Sequence, residues 1–271
     1  MGGLGCEYRR TGVAGDAPFG GFRTAPRSRD PHNGAAMPPV ATRLPVAPPF
    51  ELWLVRLAQS DEVVDTGVLD AQERERAWRF RFERDRRRYV DAHVALREVL
   101  AARTGRSAVE LEFEAGAFGK PRVAGTPRCE FSLSHSDDLA LIALADEGEI
   151  GVDIERVRTL PDLDALARQC LAADELRALE ALPGADRPVS FLQSWTRKEA
   201  CLKALGLGLQ IEPASFSVGR ATDATQASIA TPSGMCSVHV HSVEPADGWV
   251  GALAYVTDRS QGGMTSGACN L

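Results

Sequence analysis

Trp195-Thr196-Arg197-Lys198-Glu199-Ala200-Cys201-Leu202-Lys203 is the stretch on which the reading turns. Leu192, Trp195, Leu202 and Leu205 recur at helical spacing, so the pattern predicts a helix with one apolar face. Glu199 falls inside that face. A carboxylate on the buried side of a helix is costly unless a positive group meets it. Lys203 follows one turn later, about 40° around the axis at ~100° per residue. An exposed i,i+4 Glu–Lys pair contributes only ~0.2–0.5 kcal/mol and suits an outward face; this one points inward.

A second acidic group lies upstream. Glu149-Ile150-Gly151-Val152-Asp153-Ile154-Glu155 alternates with period two and reads as a strand. Asp153 and Glu155 then project from one side, Val152 and Ile154 from the other. Neighbouring carboxylates repel unless a cation lies between them. Asp153, Glu155 and Glu199 converging from a strand and a helix would suit a hard divalent cation such as Mg²⁺, which takes oxygen ligands. The competing reading of Asp153 and Glu155 is a solvated edge-strand face.

Around these two segments the chain reads as α+β. The sequence has 271 residues, 44% of them hydrophobic and 25% charged, enough for a core and one or two domains. The net charge of −6, without a dominant basic block, argues against a general nucleic-acid binder. No run approaches the ~20 apolar residues of a membrane span. Residues 1–47 are rich in Gly, Pro, Ala and Arg without apolar periodicity and are expected to be a disordered leader, with Met37 an alternative start. Cysteines 6, 129, 170, 201, 236 and 269 lack metal spacing and are read as reduced thiols in a cytoplasmic protein.

Strands are expected at Glu51–Leu57, Cys129–Ser136, Leu139–Ala145 and Gly151–Glu155, the apolar Leu139–Ala145 being central. Helices are expected from Asp70, a predicted N-cap, to Arg81, and from Arg86 to Thr104, closed by Gly105. Val90, Val94, Leu96, Val99 and Leu100 form the buried stripe of the second. Helices at 162–169 and 173–182 precede the central one, which runs from about Pro188 to Gly206. Phe216-Ser217-Val218 is expected to open the last strands, and 236–243 with 249–256 to pair antiparallel. Two α+β halves result: 48–147 and 148–259, with a loose tail at 260–271. Arg76, Arg79, Arg81, Arg84 and Arg86–Arg88 cluster, either as solvated helix surface or as a landing site for a phosphate-rich ligand. His135 is either a backbone-bonded strand-end residue or a phosphate ligand; no G-x-S-x-G accompanies it.

Gly151-Val152-Asp153-Ile154-Glu155 and Trp195–Lys203, at their separation, resemble the two signature motifs of the 4'-phosphopantetheinyl transferases. Phe118-Gly119-Lys120-Pro121 and Phe131-Ser132-Leu133-Ser134-His135-Ser136 resemble two further motifs of the Sfp-type branch. The resemblance spans residues 50–257. It implies a pseudo-dimer of two similar α/β lobes that transfers the phosphopantetheine arm of coenzyme A to a serine of an apo acyl or peptidyl carrier protein. It also implies Mg²⁺ as cofactor, 3',5'-ADP as product and a monomer. Asp153, Glu155 and Glu199 would hold Mg²⁺, and Lys203 would meet the pyrophosphate with Lys198 nearby. Glu199 would take the serine proton, directly or through a water. Ser134 and His135 would contact the 3'-phosphate end, Lys120 the adenine side, and Arg76 the coenzyme. Glu73 stands where some relatives carry a lysine, so Arg88 or a neighbour would share the first-lobe phosphate contact. A different class, an inactive carrier- or coenzyme-binding module on the same fold, is opposed by the intact acids and Lys203. A Mg²⁺-dependent phosphohydrolase is opposed by the lack of a Gly-rich phosphate loop.

Overall fold

The computed structural model describes residues 40–256 except 48, 58–65, 117–118, 126–128, 221 and 223. Most of the expected leader, Met37, Phe118, Cys6, Cys269 and the expected tail therefore lie outside the described residues. All strand pairings are antiparallel.

The first lobe is built on a four-stranded sheet. β1 (Ala41–Leu44) pairs with β2 (Glu51–Arg56), β2 with β6 (Leu139–Ala145), and β6 with β5 (Glu130–Ser136). A small hairpin, β3 (Phe113–Ala115) with β4 (Pro121–Val123), precedes β5. The strand at 41–44 corrects the expected leader. It is a four-residue edge strand without alternating burial, so period two gives no signal there. α1 (Ala71–Trp78) starts on a capping box between Asp70 and Glu73, as the N-cap reading expects. α2 (Glu83–Thr104) ends on Gly105 in the left-handed conformation. Its expected stripe is buried.

The second lobe repeats the plan. β7 (Glu149–Arg156) pairs with β10 (Trp249–Val256), β10 with β9 (Gly234–Val243), and β9 with β8 (Thr225–Thr231). In each lobe the first long strand pairs with the last, and the last forms a hairpin with the one before it. Each lobe also lays one long helix on its sheet: α2 in the first, and α5 (Arg187–Leu205) in the second. α3 (Leu163–Cys170) and α4 (Ala173–Glu180) close the far side of α5.

β6 explains how the lobes join. Its alternate residues Ala140, Ile142 and Leu144 pack under α2, while Leu139, Leu141, Ala143 and Ala145 pack against Ile150, Val152, Ile154 and Leu253 of the second lobe. A strand buried on both faces needs a continuous apolar run. The interface between the lobes is thus a hydrophobic core.

Two expectations need correction. The apolar residues of α5 do not form one stripe: Leu192 and Trp195 pack with α3 and α4, and Leu202 and Leu205 with β8–β10. The helix is wrapped on both sides. Phe216–Val218 does not open a strand; β8 begins at Thr225. The backbone of 216–218 is held by side chains of α4 and α5.

Candidate active site at the seam between the lobes

The site begins with a glycine. A Cβ on Gly151 would overlap the Ala200 carbonyl oxygen and the Ala204 nitrogen, so β7 and α5 touch backbone to backbone. That approach brings Asp153 and Glu155 of β7 beside Glu199 and Lys203 of α5. Lys203 Nζ donates to Asp153 Oδ1 at 2.7 Å and to Ser134 Oγ at 3.0 Å. Ser134 Oγ in turn donates to Asp153 Oδ1 at 2.7 Å. Asp153 Oδ2 is buried and has no hydrogen-bond partner among the described residues.

The other two acids answer to this group. Burial first, then the charge of Asp153, pushes the Glu199 carboxyl up to about 7, with Lys203 opposing. Burial first, then Asp153, also raises Glu155 to about 7, against Ser136, Arg158 and Lys203. The three carboxylates are thus short of positive charge, with one ammonium acting on all of them.

The alternating serines of β5 become intelligible here. Ser132 Oγ accepts from the Val152 N–H at 3.1 Å, and Ser136 Oγ accepts from the Arg156 N–H at 3.3 Å. Ser136 Oγ donates to Glu155 Oε2 at 2.8 Å. Ser132 and Ser136 thus stand in for a backbone ladder, while Ser134 and Ser136 orient two acids of the other lobe. The alternation is visible in the sequence; that it faces β7 is not.

The remaining expected residues divide. Ser134 is aimed at Asp153, whereas His135 shares the opposite, α2-facing side of β5 with Phe131 and Leu133. The two therefore do not present one ligand surface. Lys198, expected near the pyrophosphate, is fully buried elsewhere: Nζ lies 2.8 Å from Glu175 Oε2, donates to Pro213 O at 2.8 Å and to Phe216 O, and sits over the Phe216 ring. Burial lowers its pKa, with Glu175 opposing. Arg197 donates twice to Val218 O and reaches Thr225 and Ser242, and Glu175 Oε1 accepts the Val218 N–H. These are the side chains that replace the expected strand at 216–218. Lys120 also faces inward, donating to Glu149 Oε2 at 2.8 Å, Ile150 O at 3.0 Å and Ala204 O at 3.4 Å, which pins β4 to β7 and the end of α5.

In the first lobe, Arg76 is exposed, its guanidinium 5.8 Å from the Tyr89 ring centre. Arg88 Nη1 pairs with Asp137 Oδ1 at 3.2 Å. Glu73 is buried and bonded to Arg97 at 2.7 Å and His93 at 3.1 Å. Burial pulls its pKa upward, but His93, the Asp70 N–H and Arg97 outweigh that and hold it below the usual range. It anchors α1 rather than facing outward.

Oxygen-only donors with one unsatisfied buried carboxylate oxygen match the ligand chemistry of Mg²⁺. As they stand, no three His, Cys, Asp or Glu side chains among the described residues are grouped to hold an ion. Lys203 occupies one side of Asp153 instead. Cys129, Cys170, Cys201 and Cys236 are free thiols, and burial pushes Cys201 up to about 12, which makes it inert. No helix among the described residues is long and apolar enough to cross a membrane.

The family model of the 4'-phosphopantetheinyl transferase superfamily matches residues 149–254, and that of the 4'-phosphopantetheinyl transferase N-terminal region matches 58–147. The 4'-phosphopantetheinyl transferase HetI of Nostoc sp. is 34% identical over 184 residues, 66% of this chain and 76% of the relative. The 4'-phosphopantetheinyl transferase Sfp of Bacillus subtilis is 28% identical over 191 residues, 70% of this chain and 84% of the relative. A Synechocystis sp. protein is 37% identical over 144 residues, where the match spans only 58% of the relative's own length.

Proposed function

The chain belongs to the 4'-phosphopantetheinyl transferase family, and from that premise we propose that it moves the 4'-phosphopantetheine arm of coenzyme A onto a serine of an apo acyl or peptidyl carrier protein, with Mg²⁺ as cofactor. The observation that carries this reading is the group at the seam: Asp153 with a buried oxygen left over, two carboxyls raised to about 7 beside it, and Lys203 shared with Ser134.

The reaction forms a bond between the serine Oγ and the β-phosphorus and breaks the bond from that phosphorus to the bridging oxygen, which leaves with 3',5'-ADP. Such a transfer is served by charge neutralisation and positioning. Asp153, Glu155 and Glu199 would hold Mg²⁺, which when bound supplies positive charge to the diphosphate. Lys203, which donates to Asp153 and Ser134, would supply a further positive charge to the phosphates. Glu199 is assigned the serine proton, directly or through a water; its carboxyl stands at about 7 without metal, and a bound cation would lower it. Ser134 and Ser136 keep Asp153 and Glu155 aimed into the site. Arg76, exposed on the first lobe, is assigned to the coenzyme, and His135 to its 3'-phosphate end. Both sides of the site come from one chain, which supports action as a monomer.

The test is to incubate the protein with coenzyme A, Mg²⁺ and a panel of apo carriers and to weigh the carriers. A mass gain of one phosphopantetheine arm, abolished by chelator, is the expected result. Unmodified carriers that still bind would favour the inactive module, and release of inorganic phosphate would favour a hydrolase.

A further inference from the structure

β5 and β7 are edge strands of separate sheets, and side chains join them where a backbone ladder would otherwise run. At the end of both strands the junction passes to residues outside the catalytic group. β5 turns into β6 through Asp137 and Asp138, with Ser136 opposite Leu139. Asp137 has a φ of 43°, and no other non-glycine residue among the described ones has a positive φ. Asp138 does not share it, so the two-residue loop is of the kind that favours Gly at its first position. Asp tolerates this conformation better than most side chains, yet at a cost that Gly does not carry.

The carboxylate at this strained place has two partners. Asp137 Oδ1 lies 3.2 Å from Arg88 Nη1 of α2, and Asp137 Oδ2 accepts from Arg156 Nη1 at 3.2 Å. Arg156 is the last residue of β7 and directly follows Glu155. Its own N–H donates to Ser136 Oγ, and Ser136 Oγ donates to Glu155. The contacts close a circuit. Asp137 grips the Arg156 side chain, while its neighbour Ser136 grips the Arg156 backbone and the Glu155 carboxylate. Stability does not account for this. The Arg156 side chain is 55% exposed and that of Asp137 31%, so solvent screens the pair and it does little more than offset the strained turn.

We propose that Asp137 is a positioning residue: by clasping Arg156 against the turn it fixes where Ser136 stands, and so aims the Glu155 carboxylate at the cation. Arg88, drawn to the same carboxylate, ties the turn to α2 and keeps it from shifting along the seam. The proposal rests on the proposed function, in which Glu155 helps to hold Mg²⁺. Residues that orient a metal ligand typically change metal affinity 10- to 100-fold when removed.

The test compares the wild type with Asp137→Gly, Arg156→Gln and the double variant. Asp137→Gly removes the carboxylate and relieves the turn, so its Tm should equal or exceed that of the wild type. Mn²⁺ affinity in the presence of coenzyme A, measured by magnetic resonance, should fall ~10-fold in each single variant and little further in the double variant. Transfer to an apo acyl carrier protein at limiting Mg²⁺ should fall by a similar factor and return at high Mg²⁺, with the carrier KM within about two-fold. Unchanged Mn²⁺ affinity in Asp137→Gly overturns the proposal, whatever its Tm. So do fully additive losses in the double variant, and so does a change confined to coenzyme binding in chelator, which would put the effect of the carboxylate on the phosphates of the ligand. If the single variants lose Mn²⁺ affinity as expected but the wild type modifies no carrier, the positioning role stands and the transfer reading falls. If the wild type binds no Mn²⁺, the proposal falls together with the metal reading.

Discussion

Glu199→Gln separates the electrostatics of the seam from its shape. The Glu199 carboxyl lies near 7 in the folded chain against an ordinary value of 4.5, chiefly from burial and then from Asp153. The folded state therefore holds this proton more tightly than the unfolded chain does. Stability from that source is whole below pH about 4.5 and is lost as the pH climbs through about 7. At pH 8 the ionised Glu199 costs the fold about 2 to 3 kcal/mol, and at pH 5 less than ~1 kcal/mol. The amide of the variant keeps the shape of the carboxyl and cannot ionise.

The metal-free variant should accordingly be more stable than wild type at pH 8, by about 5 to 10 °C in Tm for a chain of this size, with the gap nearly closed at pH 5. The assay is thermal unfolding of both proteins from pH 5 to 8.5 in chelator, repeated with Mg²⁺. Added Mg²⁺ should raise the Tm of the wild type more than that of the variant, and transfer by the variant should be abolished. Parallel Tm profiles at every pH, or a less stable variant at pH 8, would refute the account of a carboxylate held against its own charge.

Three further substitutions test neighbouring parts. Lys203→Met leaves Asp153 without its ammonium; metal-free stability should fall by about 3 kcal/mol at pH 8 in urea unfolding, recover in part with Mg²⁺, and transfer should cease. Ser134→Ala frees Asp153 on one side, so transfer at limiting Mg²⁺ should drop ~10-fold and return at high Mg²⁺, with Mn²⁺ affinity by magnetic resonance falling in step. Gly151→Ala places a methyl group into the backbone of α5 and should cost ~3 kcal/mol or more, seen as loss of folded protein by circular dichroism.

What can be read from the chain depends on whether the signal is local. Capping by Asp70, the stops at Gly105 and Gly206, and the unbroken apolar run of β6 each state their structure within a few residues. The helix carrying Glu199 and the strand carrying Asp153 are legible for the same reason. Roles that depend on contact between distant segments are not. Lys198 lies within the signature stretch beside Glu199, yet successive helical positions point ~100° apart, and its ammonium ends among Glu175, Pro213 and Phe216. Lys120 lies in a turn whose target is a strand and a helix end far along the chain. The strand expected at 216–218 fails because its backbone partners are Arg197, Lys198 and Glu175, which no period reveals. The edge strand β1 is too short to show a period.

The position of the site follows from how the lobes are fused. β7 carries the acids on the face that meets α5, and its other face, through Ile150, Val152 and Ile154, is covered by the first lobe. Along its length it receives Ser132, Ser134 and Ser136 from β5. An isolated second lobe would expose that apolar face and lose the hydroxyls that orient Asp153 and Glu155. Each lobe has a helix-and-sheet core; the second supplies the three carboxylates and the lysine bonded to Asp153, and the first supplies the serines bonded to Asp153 and Glu155. Burial and then Asp153 raise Glu155 and Glu199, and Ser136 of the first lobe opposes the rise at Glu155, so the contact between the lobes bears on the proton affinity of the groups that act there.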